Sequence, residues 1–299
     1  MTPWKIGYVP VLLIVSFLLL TSGGCRTWSS REERAAQAYN EGNRFREAGM
    51  NEDALAAYSL ALKHAPRMAS ARFNSALTLA EMGRFDEALE QLHSLNQQDP
   101  RNLKVLRALA WVSWKDNRIQ DALNYFQSVL LISPGDEASL RGSCRIYEST
   151  GRAGEAVEMR KLLLRMENSN DARLDLADTL FSAERYQEAL EEYRIVLLKN
   201  PSDEKALAAA AAAAEKTGQY KEAVVYLKNL ADMGDETGEL YWRIAGFQLV
   251  QDGNFTAGLQ SLKTALAAGF IDEEAYRDLI SEVPAAVRPS VENLLNTED

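Results

Sequence analysis

The sequence is poor in the side chains that metal or nucleophilic chemistry needs. Its 299 residues include two cysteines, Cys25 and Cys144, and two histidines, His64 and His93. A zinc site takes three or four Cys, His or carboxylate ligands at close spacing. No Cys–His cluster of that kind is present, and neither histidine has a nucleophile at triad-like spacing. Neither a metal nor a cofactor is expected. Prolines number only 8, and the many Leu, Ala, Glu and Arg residues favour helix over sheet. A basic excess is missing too: 33 Lys and Arg face 43 Asp and Glu, a formal net charge of −10. Nucleic-acid binders neutralise phosphates with cations, so no nucleic-acid partner is expected. Adjacent carboxylates such as Glu191–Glu192 and Glu273–Glu274 diverge around a helix axis, unlike a paired acid and base across a cleft. These absences leave no catalytic constellation, and the chain reads as a non-enzyme.

The apolar run near the N-terminus spans Val9, Val11–Val15 and Phe17–Leu20. It is well short of the ~20 residues that cross a bilayer comfortably. Lys5 precedes it, and the small residues Thr21, Ser22, Gly23 and Gly24 lead to Cys25. A basic start, an apolar segment and a small-residue site make a secretory signal. The last part resembles the lipobox of bacterial lipoproteins, with Ser22 where an aliphatic residue is usual. That resemblance implies cleavage after Gly24, lipidation of Cys25 and membrane attachment. The segments expected are a signal peptide over 1–24 and a polar tether over 25–34. The rest then faces the periplasm of a bacterial envelope. Arg26, not Asp, follows the cysteine, which favours the outer membrane.

What the sequence does have is a period. Pro66, Pro100 and Pro134 are 34 residues apart, and Pro201 falls one short of two further periods. Gly49, Gly83, Gly151 and Gly218 keep one register, and Gly253 falls one residue late against it. Ala54, Ala88, Ala122, Ala156, Ala189 and Ala223 keep another. Within each unit the apolar spacing is helical, as in Ala88, Leu89, Leu92 and Leu95.

This pattern resembles the tetratricopeptide repeat (TPR), a helix–turn–helix unit of 34 residues. The family has small residues at positions 8 and 20, an aromatic at 24, Ala at 27 and Pro at 32. Gly42, Ala54, Tyr58, Ala61 and Pro66 supply all five in the first copy. Seven copies are expected, at 35–68, 69–102, 103–136, 137–169, 170–203, 204–237 and 239–272. Gly246 stands at position 8 of the last. The implied fold is all-α, a right-handed TPR superhelix (α-solenoid), because a helix pair cannot bury its face without stacked neighbours. Residues 273–299 are expected to cap it with two helices, at 273–281 and about 286–296, separated by Pro284 and Pro289.

In the family, positions 2, 5, 9 and 12 of the first helix line a concave groove. The third copy places Lys104, Arg107, Trp111 and Trp114 there, with Lys115 beside them, and the fourth adds Arg141 and Arg145. Trp and Arg are enriched at interface hot spots, and guanidinium groups suit a partner's carboxylates. The alternative is that both tryptophans pack inside the solenoid and the cations form a solvated face. One subclass of the family clamps the terminal carboxylate of a peptide. Asn43, Asn74 and Lys104 match its positions, whereas Tyr39 and Ala108 stand where it has cations. Asn43 and Asn74 then read as donors to a ligand backbone, and Cys144 as a small buried residue. The resemblance implies a scaffold or adaptor binding an envelope protein or peptide. The competing reading is a homo-oligomeric component of a ligand-uptake system, partnering a solute-binding protein. The sequence does not choose between monomer and oligomer.

Overall fold

The computed structural model describes the backbone of residues 12–234 and 237–296, with side chains from residue 30 onward. Every regular element among the described residues is helical, and each repeat contributes a first helix (A) and a second (B). The A/B pairs are α1 (Leu12–Glu47) with α2 (Asn51–His64), α3 (Ala69–Glu81) with α4 (Phe85–Gln98), and α5 (Leu103–Lys115) with α6 (Ile119–Ile132). They continue with α7 (Glu137–Ser149) and α8 (Ala153–Glu167), α9 (Asn170–Ser182) and α10 (Tyr186–Lys199), and α11 (Glu204–Lys216) and α12 (Tyr220–Ala231). The last pair is α13 (Glu239–Gly246), extended by a π-helical turn over Phe247–Gln251, with α14 (Phe255–Ala267). Two further helices follow, α15 (Glu273–Glu282) and α16 (Arg288–Leu295).

The turn between A and B needs one residue with positive φ, because the closing bond runs back five residues. Arg84 N–H reaches Leu79 O at 2.9 Å, and Arg185 N–H reaches Leu180 O at 2.9 Å. Glycine supplies the left-handed residue at 49, 83, 151, 218 and 253, while Asn117 (φ 60°) and Glu184 (φ 59°) supply it in the third and fifth repeats. Helix B ends just before Pro66, Pro100, Pro134 and Pro201, where a missing N–H costs no interior bond. The fourth repeat lacks that proline, and α8 ends instead on Asn168 in the left-handed region (φ 43°).

The chain divides into two compact units, residues 1–139 and 140–299. Inside each, positions 8 and 20 are buried and small so that helices approach closely. An added Cβ on Gly42 would lie 2.6 Å from the Tyr58 ring. The core of the first unit gathers Phe73, Leu79, Leu89, Leu92, Leu109 and Val112. That of the second gathers Leu176, Leu180, Leu190, Tyr193, Val196 and Leu207, with alanines of α11 between them. Each such large side chain contributes roughly 1.5–3 kcal/mol by leaving water. A last cluster closes the chain's end, where Trp242 stacks on Phe270 at 4.7 Å and meets Tyr276 at 5.3 Å.

The stretch expected as a polar tether, 26–34, is helical and continuous with the first repeat's helix, since α1 begins at Leu12; the Cys25 side chain lies outside the described residues. Two expectations change. Pro289 does not separate the end helices but sits in the first turn of α16, where its fixed φ suits a helix start. Gly246 does not hold the small-residue position of the seventh repeat, because nothing lies within 4 Å of a Cβ added there. Ala245, fully buried, holds it. The π-helical turn that follows takes up one extra residue, which is why Gly253 and Gly258 come one position late. Gly258 packs on Leu249, its added Cβ 2.5 Å from that side chain.

Candidate peptide-binding face and the ionic core of the fourth repeat

In the first unit, α5 buries Val105, Leu106, Leu109, Ala110, Val112 and Ser113 against its neighbours. What remains outward on the same helix is Lys104, Arg107, Trp111, Trp114 and Lys115. Both tryptophans are half-buried, and Lys104 and Lys115 are exposed. Trp111 packs one side on the core of this unit, so the packed alternative holds for part of its surface only. The Lys115 ammonium stands 6.0 Å from the Trp111 ring and 5.8 Å from that of Trp114. The Lys104 ammonium lies 4.3 Å from the Phe73 ring. A cation over an aromatic face is held by the ring quadrupole while its N–H groups remain available.

Other sequence-singled residues are already engaged. Arg107 pairs with Asp136 at 3.0 Å; its side chain is 40% exposed, that of Asp136 10%. Asn43 and Asn74 bond each other rather than standing open. Asn74 Nδ2 donates to Asn43 Oδ1 at 2.8 Å and to the Tyr39 hydroxyl at 3.1 Å, and the Tyr58 hydroxyl donates to Asn43 Oδ1 at 2.9 Å. Both N–H groups of Asn74 are thus committed. Burial is the main reason the Tyr58 hydroxyl titrates above its ordinary range.

In the second unit Arg141 pairs with Glu167 at 3.1 Å, and Arg145 is exposed. The residue that sequence reasoning passed over here is Arg160. It stands at position 24, where the other repeats place Tyr58, Leu92, Phe126, Tyr193, Leu227 and Leu262. Its guanidinium bonds Asp175 Oδ2 at 2.6 Å and Glu148 Oε1 at 3.1 Å. Glu148 Oε1 also accepts from the Cys144 thiol at 3.2 Å. Burial raises the Cys144 pKa to about 12, and Glu148 adds to the rise. Tyr193 shows what this position does elsewhere: its hydroxyl donates to Asp178 Oδ1 at 2.8 Å, as Tyr58 does to Asn43. Counting the 34-residue phase to position 24 was the signal available for Arg160. Among the described residues no group of three or more Cys, His, Asp or Glu is placed to hold a metal.

Two segments of this helical solenoid, 45–112 and 174–236, each match a family model described as the tetratricopeptide repeat. The chain is a tetratricopeptide-repeat protein. A curated relative, cellulose synthase operon protein C of Pseudomonas fluorescens (strain SBW25), is 30% identical over 128 residues, 42% of this chain. The chain spans about 10% of that protein's length. Among solved structures, a tetratricopeptide repeat protein from Parabacteroides merdae aligns with a TM-score of 0.51 at 17% identity, over 83% of this chain and 98% of that one. A chain of the Naa15/Naa10 complex bound to HypK-THB aligns at 0.67 and 14% identity, over 87% of this chain and 41% of that one. At these identities the likeness is one of fold.

Proposed function

We propose that the protein is a non-catalytic interaction scaffold that captures a protein or peptide partner on the outward face of α5, tethered to a bacterial envelope membrane through Cys25. The observation that carries the binding reading is the set Lys104, Trp111, Trp114 and Lys115. Two half-buried tryptophans lie there between two exposed lysines that have no ion pair among the described residues, on one helix of a repeat class that suggests partner binding. Arg107 stays paired with the largely buried Asp136, and the exposed part of its guanidinium can be shared with a partner carboxylate. In the second unit, considered by itself, the exposed Arg145 offers guanidinium chemistry of the same kind, and Arg141 is engaged by Glu167. Asn43 and Asn74 stiffen the first two repeats rather than bind.

The anchor rests on the small residues leading to Cys25 and on the short apolar run before them. Among the described residues no helix is long and apolar enough to cross a membrane. The relative's name links such repeats to a cellulose synthase operon, which is compatible with work at the cell envelope. The test is a pull-down from envelope extracts with the full chain and with Trp111→Ala/Lys115→Glu. A partner captured by the first and lost by the second, with both melting alike, is the expected result; equal capture refutes the α5 face. Mass spectrometry of membrane-extracted protein is expected to find Cys25 acylated and N-terminal, and an unmodified Cys25 overturns the anchor.

A further inference from the structure

Beside Lys104 the first unit has a hollow of about 310 Å³ between α3, α4 and the start of α5. Ala69, Phe73, Leu95 and Val105 give it an apolar lining, and Ser70 and Lys104 stand at its edge. Gln98, Asp99 and Asn102 complete the lining, and the last two are hydrogen-bonded within one turn. Asn102 Oδ1 accepts from Val105 N–H at 3.3 Å, its Nδ2 donates to Asp99 at 3.2 Å, and Asp99 also accepts from Arg101 N–H at 3.3 Å. These bonds fix the shape of the hollow, and the Gln98 amide stands exposed beside them. Two charged side chains line the hollow: Asp99, whose Oδ1 and Oδ2 each accept one of these hydrogen bonds, and Lys104, which has no ion pair among the described residues and rests on the Phe73 ring at 4.3 Å.

An apolar hollow of this size, at the low end of the range that binds small groups, holds one side chain rather than a folded element. Lys104, with Arg107 and Lys115 further along the helix, favours negative charge on the part of a partner that lies over α5, away from Asp99. From Lys104 to Lys115 the face of α5 runs about 16 Å, the length of about five residues of extended chain. Resting on the reading of α5 as a binding face, we propose that this hollow is its anchor pocket. It receives one large apolar side chain, aromatic or leucine, from an extended partner segment, with Asp or Glu flanking that side chain over Lys104 and along α5. Charge complementarity selects the partner: an acidic segment with a single apolar anchor.

The experiment sorts a displayed library of random 15-residue peptides on the full chain, on Ser70→Trp, on Ser70→Ala and on Trp111→Ala. Ser70 is exposed at the start of α3, so tryptophan there fills the hollow without entering the core; thermal melts confirm that all variants fold. Enriched peptides are expected to carry Phe, Trp or Leu flanked by Asp or Glu. They are expected to lose about tenfold or more in affinity on Ser70→Trp, to keep it on Ser70→Ala, and to lose it when the apolar residue becomes Ala. Peptides that lose affinity on Trp111→Ala but bind Ser70→Trp as well as the parent overturn the pocket and leave the binding face standing. No enrichment, or enrichment indifferent to both Ser70→Trp and Trp111→Ala, overturns both readings.

Discussion

Arg160 shows what one residue out of pattern does to a repeat. At a position built for an apolar or tyrosine side chain, it keeps its charge by drawing Glu148 and Asp175 towards it. Those carboxylates are 37% and 44% exposed, so they remain hydrated if the arginine is removed. Replacing a buried ion pair with a well-packed apolar side chain is often neutral or stabilising. Arg160→Leu is therefore expected to leave the urea midpoint unchanged or to raise stability by about 1 kcal/mol. Arg160→Ala, which leaves a cavity, lowers stability by about 2–4 kcal/mol. Urea titrations followed by circular dichroism distinguish the two, and equal losses in both mean that the ion pairs themselves hold the repeat. Cys144, beside it, sets a second expectation. Its pKa rises from an ordinary 9.0 to about 12, chiefly through burial. The folded state holds the proton that the unfolded state releases. Its contribution is complete below about pH 9 and is lost as pH rises towards 12. Tyr226, raised from 10.0 to about 12 by burial and by Glu222, acts in the same direction. Cys144→Ala is expected to flatten the fall in urea midpoint between pH 9 and 11, and an unchanged fall shows that the thiol does not contribute.

At the scale of elements, the seventh repeat shows how the fold absorbs an irregular period. In the fifth repeat, helix A buries Leu176 and Ala177, then Thr179 and Leu180, with one residue between the pairs. In the seventh it buries Ile244 and Ala245, then Gln248 and Leu249, with two between. The π-helical turn at Phe247–Gln251 brings both pairs to the same side despite the added residue, as such bulges do. Gln248 then bonds the Ser261 hydroxyl at 2.8 Å, which satisfies a polar pair that the shift has buried. Deleting Gly246 is expected to convert the turn to regular α-helix and to keep all four residues buried, shifting the melting temperature by only a few degrees. Deleting Leu249 moves the core residues out of phase and unfolds the end of the chain. Circular dichroism melts of the two deletions test this, and equal damage means that the π turn is required by something other than phase.

Across the whole molecule charge is uneven. Residues 1–139 hold 15 Lys and Arg against 15 Asp and Glu, whereas residues 140–299 hold 18 against 28, so the entire −10 lies in the second unit. Like charges crowded in one compact unit repel, and salt screens that repulsion. A solenoid is held by neighbour contacts and need not unfold in one step. Tryptophan fluorescence can follow the units separately, through Trp4, Trp28, Trp111 and Trp114 in residues 1–139 and Trp242 in residues 140–299. Added salt is expected to raise the urea midpoint reported by Trp242, in a chain with Trp4, Trp28, Trp111 and Trp114 replaced by Phe, more than that reported in Trp242→Phe. Identical midpoints at every salt concentration mean that the chain unfolds as one unit.

The sequence by itself determined the repeat, because a 34-residue phase of small residues, turn glycines and prolines states local needs that each unit must meet alone. It also identified α5 as the helix carrying both cations and tryptophans. Only the tertiary structure decided which of those groups are free. Arg107 proved to be paired with Asp136, and Asn74 to be committed to Asn43 and Tyr39, because their partners come from other helices and no spacing along the chain announces them. The hollow beside Lys104 is a space between three helices and has no residue of its own in the sequence.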